Sequence, residues 1–317
     1  MTSRLILKRL RSLCITLLAA SILIFFMLEI APGDIATFMM GVDADPAAVE
    51  ALRKELGLGG SIITRYFTWL VSMLQGDFGV SYTYREPVTQ LIVDRLQVSL
   101  PLAAIAFALS TLIALPLAAF TATRRGKISE TVILNVAQVG VAIPNFWFAI
   151  ILLSVFSTTF DLFPAGGFPG WSAGLGPALM ALTLPSLALA LPQAAILTRV
   201  LRSSLVDTLD DDYVRTARAK GLSKGQTLWR HAMRNALVPT LPIMGMQFAF
   251  LIAGAIVIES VFYLPGLGRL VFQAITQRDL IVVKGVIVIL VLMVVTITFL
   301  MDILAMWLDP RLGREDS

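Results

Sequence analysis

The chain has 317 residues, of which 57% are hydrophobic and 15% charged, with a formal net charge of +4. A soluble domain is nearer half apolar and a quarter charged, so this composition excludes an ordinary soluble enzyme. No basic soluble domain that could hold nucleic acid is visible. The one cysteine, Cys14, excludes an internal disulfide and a cysteine-based metal site.

The apolar excess is gathered into six runs long enough to cross a bilayer, which takes about 20 residues. In chain order they are Ser12–Ile30, Ser99–Ala122, Thr131–Thr158, Gly176–Leu201, Leu241–Tyr263 and Gly285–Leu308. Pro144 lies inside the third, and Pro185 and Pro192 inside the fourth. A spanning helix tolerates proline when neighbours satisfy the freed carbonyl. The first run follows Arg4, Lys8, Arg9 and Arg11, as in a secretory signal. No small-x-small cleavage site follows Leu28, so it reads as a retained span.

Between the first two runs lies a hydrophilic stretch, 31–98. Pro46–Leu56 reads as a helix with proline at its start, ended by Gly57, Gly59 and Gly60. Ile62–Leu74 reads as a second, amphipathic helix carrying Tyr66, Phe67 and Trp69. Gly76-Asp77-Phe78-Gly79 is a turn. This insertion is expected to be a packed external cap; a gate element or a docking surface for a soluble partner is the sharper alternative.

Lys and Arg in the loops set orientation. Arg124, Arg125 and Lys127 follow the second run, and Arg215, Arg218, Lys220, Lys224, Arg230 and Arg234 follow the fourth. The 160–175 loop has neither Lys nor Arg. Both termini are therefore expected in the cytoplasm, with the insertion outside. The domain plan is a first span plus insertion (1–98), a transmembrane domain (99–308) and a short cytoplasmic tail (309–317).

Residues 210–239 are the most informative segment. Asp210 to Asp212 suit the positive end of a helix dipole. Tyr213, Val214 and Ala217 recur at helical spacing, and Gly221 stops the run. Ser223 and Gln226, three apart, make a capping box for a second helix. That helix places Leu228, Ala232 and Ala236 on one stripe, with Trp229, Met233 and Leu237 beside it. Pro239 and Pro242 close the segment. The pattern predicts a helical hairpin at the cytoplasmic membrane surface, shaped to dock a partner.

Catalytic motifs are missing from the sequence. It has no G-x-x-x-x-G-K-[ST] phosphate loop, no H-E-x-x-H and no G-x-S-x-G. His231 is the sole histidine and reads as a polar position on an amphipathic helix. Energy from ATP must then enter through another polypeptide. Glu259 and Asp302 are ionisable residues inside spans, with Glu29 near the end of the first. They read as structural pairings near helix ends, with a proton relay as the alternative. Asn135, Gln138, Asn145, Gln193 and Gln247 either bond across helices or line a wet path. Gly245, Ala249 and Ala253 form a small-xxx-small stripe.

The hairpin resembles the coupling segment of binding-protein-dependent ABC importer permeases, whose general pattern is E-A-A-x-x-x-G. Here Arg215-Thr216-Ala217 precede Gly221, so the first two positions depart from it. Y-V-R-T-A-R-A-K-G-L at 213–222 and R-H-A-M-R-N-A-L-V-P at 230–239 look like the dipeptide/oligopeptide/nickel permease subfamily. ELGL at 55–58, GDFGVSY at 76–82, IPNFWFA at 143–149, IESVFYLPGLGRL at 258–270 and LDPRLG at 308–313 are similar to it in matching order.

The resemblance implies an all-α polytopic fold of six transmembrane helices, the type I ABC importer fold, in the bacterial cytoplasmic (inner) membrane. It implies a pore-forming, non-enzymatic subunit that translocates peptides. The expected partners are a second permease subunit, two ATP-binding subunits and an extracytoplasmic solute-binding protein, within membrane lipid and without nucleic acid. ATP and Mg would be bound by the partner subunits, leaving no cofactor or metal in this chain. Tyr213, Ala217, Gly221 and Leu222 would couple to the ATPase. Asn145, Gln193, Gln247, Glu259 and Asp302 are structural or pathway candidates. Nickel or a metal chelate, glutathione or another small solute remain alternative cargoes, and a proton-coupled transporter using Glu259 or Asp302 is the alternative of a different class.

Overall fold

The structure is a computed structural model and describes residues 2–30, 45–55 and 60–308. Its helices run in chain order as α1 (Thr2–Ile30), α2 (Pro46–Glu55), α3 (Ile62–Leu74), α4 (Val88–Thr123) and α5 (Ile128–Ala142). They continue as α6 (Asn145–Thr159), α7 (Leu175–Leu209), α8 (Asp212–Ala219), α9 (Lys224–Val261), α10 (Leu267–Thr276) and α11 (Leu280–Leu308). Among the described residues, five helices are long and apolar enough to cross a membrane, or six when the bent pair α5–α6 counts as one span. The all-α polytopic plan with a helical insertion after the first span is therefore observed. The expected ends of the α2 helix at Leu56, Gly57 and Gly59, and the LDPRLG motif beyond Leu308, lie outside the described residues.

The third span differs most from expectation. It breaks at Ile143–Pro144, and its halves meet at 101°. The Pro144 ring disfavours helical backbone at the preceding residue, and Ile143 is extended at φ −79°, ψ 126°. The Pro144 carbonyl then accepts from Trp147 and Phe148 N–H at 3.0 and 3.1 Å, starting α6 afresh. By contrast, α4 carries Pro101 and Pro116, and α7 carries Pro185 and Pro192, without interruption. Several helices also outrun their apolar cores. Helix α4 begins at Val88 instead of Ser99, α7 ends at Leu209 instead of Leu201, and α9 begins at Lys224 instead of Leu241.

The chain divides into two compact units. The first holds Leu96–Arg269 with the two chain ends. There, Ala118, Ala119 and Ala122 of α4 pack with Leu201, Leu205 and Val206 of α7 and with Leu228, Ala232, Met233 and Ala236 of α9. Small residues let these backbones approach closely, which is how helices associate where lipid removes the hydrophobic drive. The small-xxx-small stripe is used at Gly245, where an added Cβ would stand 3.2 Å from the Thr298 backbone. The 160–175 loop is anchored by Trp171 Nε1, which donates to the Gln97 carbonyl at 2.8 Å, and by Gly167 N–H to the Phe262 carbonyl at 2.8 Å.

The second unit holds Cys14–Arg95 and Leu270–Leu292. Tyr66 of α3 is buried, its hydroxyl 3.0 Å from Ser21 Oγ, with Phe25 edge-on at 5.4 Å. Of the three aromatics read from the sequence on this helix, Tyr66 and Trp69 meet Phe25 across the α1–α3 seam, while Phe67 is exposed. Asp279 caps α11 by accepting from Val282 N–H, and also holds the loop after the Gly76–Gly79 turn through Ser81 Oγ at 2.6 Å.

Candidate functional site

The hairpin's turn and caps form as the sequence predicts, but Pro239 and Pro242 do not close it: the helix runs on through both to Val261. Helix α8 opens behind Asp211, with Asp212 in its first turn. At its end Leu222 N–H reaches the Ala217 carbonyl and Gly221 N–H the Arg218 carbonyl, at 3.4 and 3.0 Å. These two bonds are the Schellman closure, which places its C′ residue in the left-handed region. Gly221 occupies that position with φ +90°. Ser223 then starts α9: its Oγ accepts from Gln226 N–H at 3.2 Å, and its own N–H donates to Gln226 Oε1 at 3.0 Å. The capping box is complete.

The hairpin's inner face is apolar and its outer face charged. Val214 and Ala217 are buried, as are Leu228, Ala232, Met233 and Ala236. Ser204 of α7 adds a hydrogen bond to the Ala236 carbonyl at 2.9 Å. Trp229 is 54% exposed and Tyr213 40%. Arg215, Arg218, Lys220, Lys224 and Arg230 are all exposed. Tyr213 Oη accepts from Asn235 Nδ2 at 2.6 Å, which ties α8 to α9. Arg125 pairs with Asp210 at 3.0 Å, linking the loop after α4 to the hairpin's start.

Of the four coupling candidates, Tyr213 is exposed, Leu222 is half-buried and Gly221 forms the turn. Ala217 is 8% exposed and faces its own chain, so it supports the hairpin from beneath. Asn235 was not singled out by the sequence; it is exposed, and its role shows only in its bond to Tyr213.

The polar residues inside the spans are mostly engaged. Glu259 is 0% exposed. One oxygen of its carboxylate accepts from Ser99 Oγ at 2.5 Å, the other from Arg269 N–H at 3.0 Å. Ser99 Oγ in turn accepts from Leu267 N–H at 2.7 Å. Leu267 and Arg269 lie in the first turn of α10, whose N–H groups have no intrahelical partner. Glu259 and Ser99 therefore cap a helix, and the helix dipole favours a negative charge there. Gly266 and Gly268 make the room: an added Cβ would collide with the Glu259 carboxylate at one and the Ile256 backbone at the other.

Asp302 pairs with Arg9 at 2.8 Å. Gln247 Nε2 donates to the Gln193 carbonyl at 3.0 Å, while Gln193 Oε1 is buried without a partner among the described residues. Asn145 is half-buried at the start of α6, close to Gly254. Gln138 accepts from Arg199, and Glu130 from Arg202 and from Gly126 N–H. Glu130 and its partners escaped the sequence reading because a carboxylate in a basic loop looks solvated.

A polytopic bundle with a capped, outward-facing helical hairpin is the architecture of an ABC importer permease. Solved structures share the fold. One is the MetNI methionine ABC transporter in an inward facing conformation, with a TM-score of 0.58 at 17% identity, over 69% of this chain and 96% of that one. Another is an amino acid ABC transporter solved with histidines, with a TM-score of 0.50 at 20% identity, over 68% of this chain and 94% of that one. The chain belongs to the binding-protein-dependent transport system inner membrane component family, which matches residues 114–314, with the family's N-terminal component at residues 2–103. A Brucella melitensis relative whose name describes a peptide transport system permease is 41% identical over 99% of this chain and 100% of its own. The glutathione transport system permease protein GsiC of Salmonella choleraesuis is 34% identical over 97% of this chain and 98% of its own.

Proposed function

We propose that this permease subunit carries di- or oligopeptides across the bacterial cytoplasmic membrane, delivered by an extracytoplasmic solute-binding protein and driven by ATP. It pairs with a second permease subunit to form the pore. Two ATP-binding subunits dock, one on each permease subunit; one of them meets the 212–237 hairpin of this chain, through a face that includes Tyr213, Leu222 and Trp229. Closure of the ATPase pair moves the hairpin, and the helices packed on it switch the pore between inward and outward access. Both termini and the hairpin lie in the cytoplasm, and the α2–α3 insertion lies outside. In a Cys14→Ser background, a cysteine at Ala173 is expected to label from outside and one at Lys224 only from inside.

One observation carries the reading: the hairpin is rigidly closed at both helix ends yet leaves two aromatic side chains in water. Tyr213 is held in place by Asn235, but its ring and that of Trp229 stay exposed, and exposed aromatics of this kind suit a partner groove. The peptide cargo rests on the 41% relative. The 34% relative favours glutathione as a second reading, itself a small peptide. The engaged state of Glu259 and Asp302 supports structural pairing over a proton relay. The test is reconstitution with the partner subunits, asking which peptide-loaded binding protein stimulates ATP hydrolysis. Stimulation by an amino-acid-loaded or metal-chelate-loaded protein alone would move the cargo out of the peptide class.

A further inference from the structure

The second unit contains two cavities stacked along the same three helices. The upper one, about 620 Å³, is bounded by the adjoining ends of α1 and α11, by α3 and by the Gly76–Gly79 turn. Glu29 accepts there from Arg65 at 2.6 Å and from Lys284 at 3.5 Å, and all three side chains are mostly buried. Two cations share one carboxylate, so the cluster carries excess positive charge. Arg65 Nε is buried without a partner among the described residues. Lys284 Nζ stands 4.5 Å from the Phe25 ring centroid and has three donors, of which Glu29 takes one. Tyr82 lines the same wall. Burial, with the Asp279 charge second, pushes its phenol above the ordinary value, so it is a protonated donor at neutral pH. The other acid at the rim, Asp77, is occupied by Gly79 N–H at 2.8 Å.

The lower cavity is a groove of about 380 Å³ with an almost wholly apolar lining. Leu17, Leu18 and Ile24 of α1, Leu74 of α3, and Val288 and Leu292 of α11 form it. Phe78 belongs to both cavities. Positive donors from α3 and α11 therefore sit beside the adjoining ends of two spans, and an apolar trough continues down those spans. A free anion or a hydrophilic peptide would use only the upper part. An amphiphile with an anionic head uses both.

We propose that the two cavities form one phospholipid site, with the headgroup phosphate against Arg65 and Lys284 and an acyl chain along the α1–α11 groove. A lipid held there fastens the insertion helix α3 to the two spans, at the membrane level where aromatic and basic anchors are favoured. This rests on α1 and α11 being spans and not on the identity of the cargo.

The full importer complex in neutral detergent is incubated with phosphatidylglycerol bearing a photoactivatable acyl chain, irradiated and digested. Adducts are expected on the peptide containing Leu17–Ile24 or that containing Val288–Leu292. Lys284→Gln and Arg65→Gln should each lower labelling about tenfold, the loss of one charge-assisted contact. Leu18→Trp should lower it comparably by filling the groove at an exposed position, with the charges and fold untouched. Labelling that survives both Lys284→Gln and Leu18→Trp overturns the proposal. Displacement of the lipid by inorganic phosphate or a dipeptide also overturns it, in favour of a small-anion or cargo site. The readout involves no ATP hydrolysis, so it fails or succeeds independently of the transport reading.

Discussion

The 212–237 hairpin and the Glu259 node are both polar, yet they treat charge in opposite ways. The hairpin keeps Arg215, Arg218, Lys220 and Arg230 in water and is held from below by Val214, Leu228, Ala232 and Met233. Its stability resides in apolar burial and backbone closure, so its outer side chains are available to a partner. At the node, a carboxylate is fully removed from water, and each oxygen has a donor. An unpaired charge there would cost several kcal/mol, so no atom of the node is spare. A surface device can be edited one charge at a time; a buried cap fails when any partner is lost.

The largest effect is therefore expected at the node. Glu259→Leu leaves the Arg269 N–H and the Ser99 hydroxyl without their acceptor, at about 1–3 kcal/mol each. Gly268→Ala, which drives a Cβ into the Ile256 backbone, should destabilise comparably. Thermal unfolding of the assembled complex in detergent measures both. Unchanged midpoints would mean that α10 is held by something else. Glu259→Gln should keep one acceptor and retain uptake in whatever complex assembles.

Gly221→Val comes next. Nothing lies within 4 Å of an added Cβ, so the strain is confined to the backbone at φ +90°. A β-branched residue in that region costs about 1–3 kcal/mol. The protein should reach the membrane while ATP hydrolysis no longer drives uptake. Full transport by this variant would remove the turn from the coupling mechanism. Ser223→Ala should cost about 1 kcal/mol through loss of the cap, seen as faster amide exchange over Lys224–Thr227. The smallest effect belongs to Arg125→Gln: its partner Asp210 is as exposed as Arg125 itself, and such pairs contribute about 0–1 kcal/mol. A large loss of stability in that variant would contradict the division between exposed and buried charge.

The hairpin was legible in the sequence because its signals are local. A glycine stop, an S-x-x-Q box and a helical stripe each report on neighbouring residues, and all three are realised. The spans were legible for the same reason, as runs of apolar residues. Their ends were not, because α4, α7 and α9 extend as amphipathic helix past the apolar core, and hydropathy sees only the core. Pro144 breaks a span while Pro101, Pro116, Pro185 and Pro192 do not. All five are prolines inside apolar runs, so the residue type alone does not tell a break from an uninterrupted helix. Helix α10 was overlooked although Leu267, Leu270, Val271 and Ala274, all buried, have helical spacing. Its caps are Glu259, at the end of the preceding helix, and Ser99, 168 residues from Leu267, so the node became visible only in the fold.

The central claim is that the hairpin couples this subunit to ATP hydrolysis carried by partner chains. The most direct measurement is uptake by proteoliposomes containing the complete importer and a loaded binding protein. Internal ATP and an imposed proton gradient are supplied separately, for the unaltered protein and for Gly221→Val. The account predicts uptake with ATP and none with the gradient alone, and ATP hydrolysis without uptake in Gly221→Val. Uptake driven by the proton gradient alone, abolished by Glu259→Gln or Asp302→Asn, would contradict it.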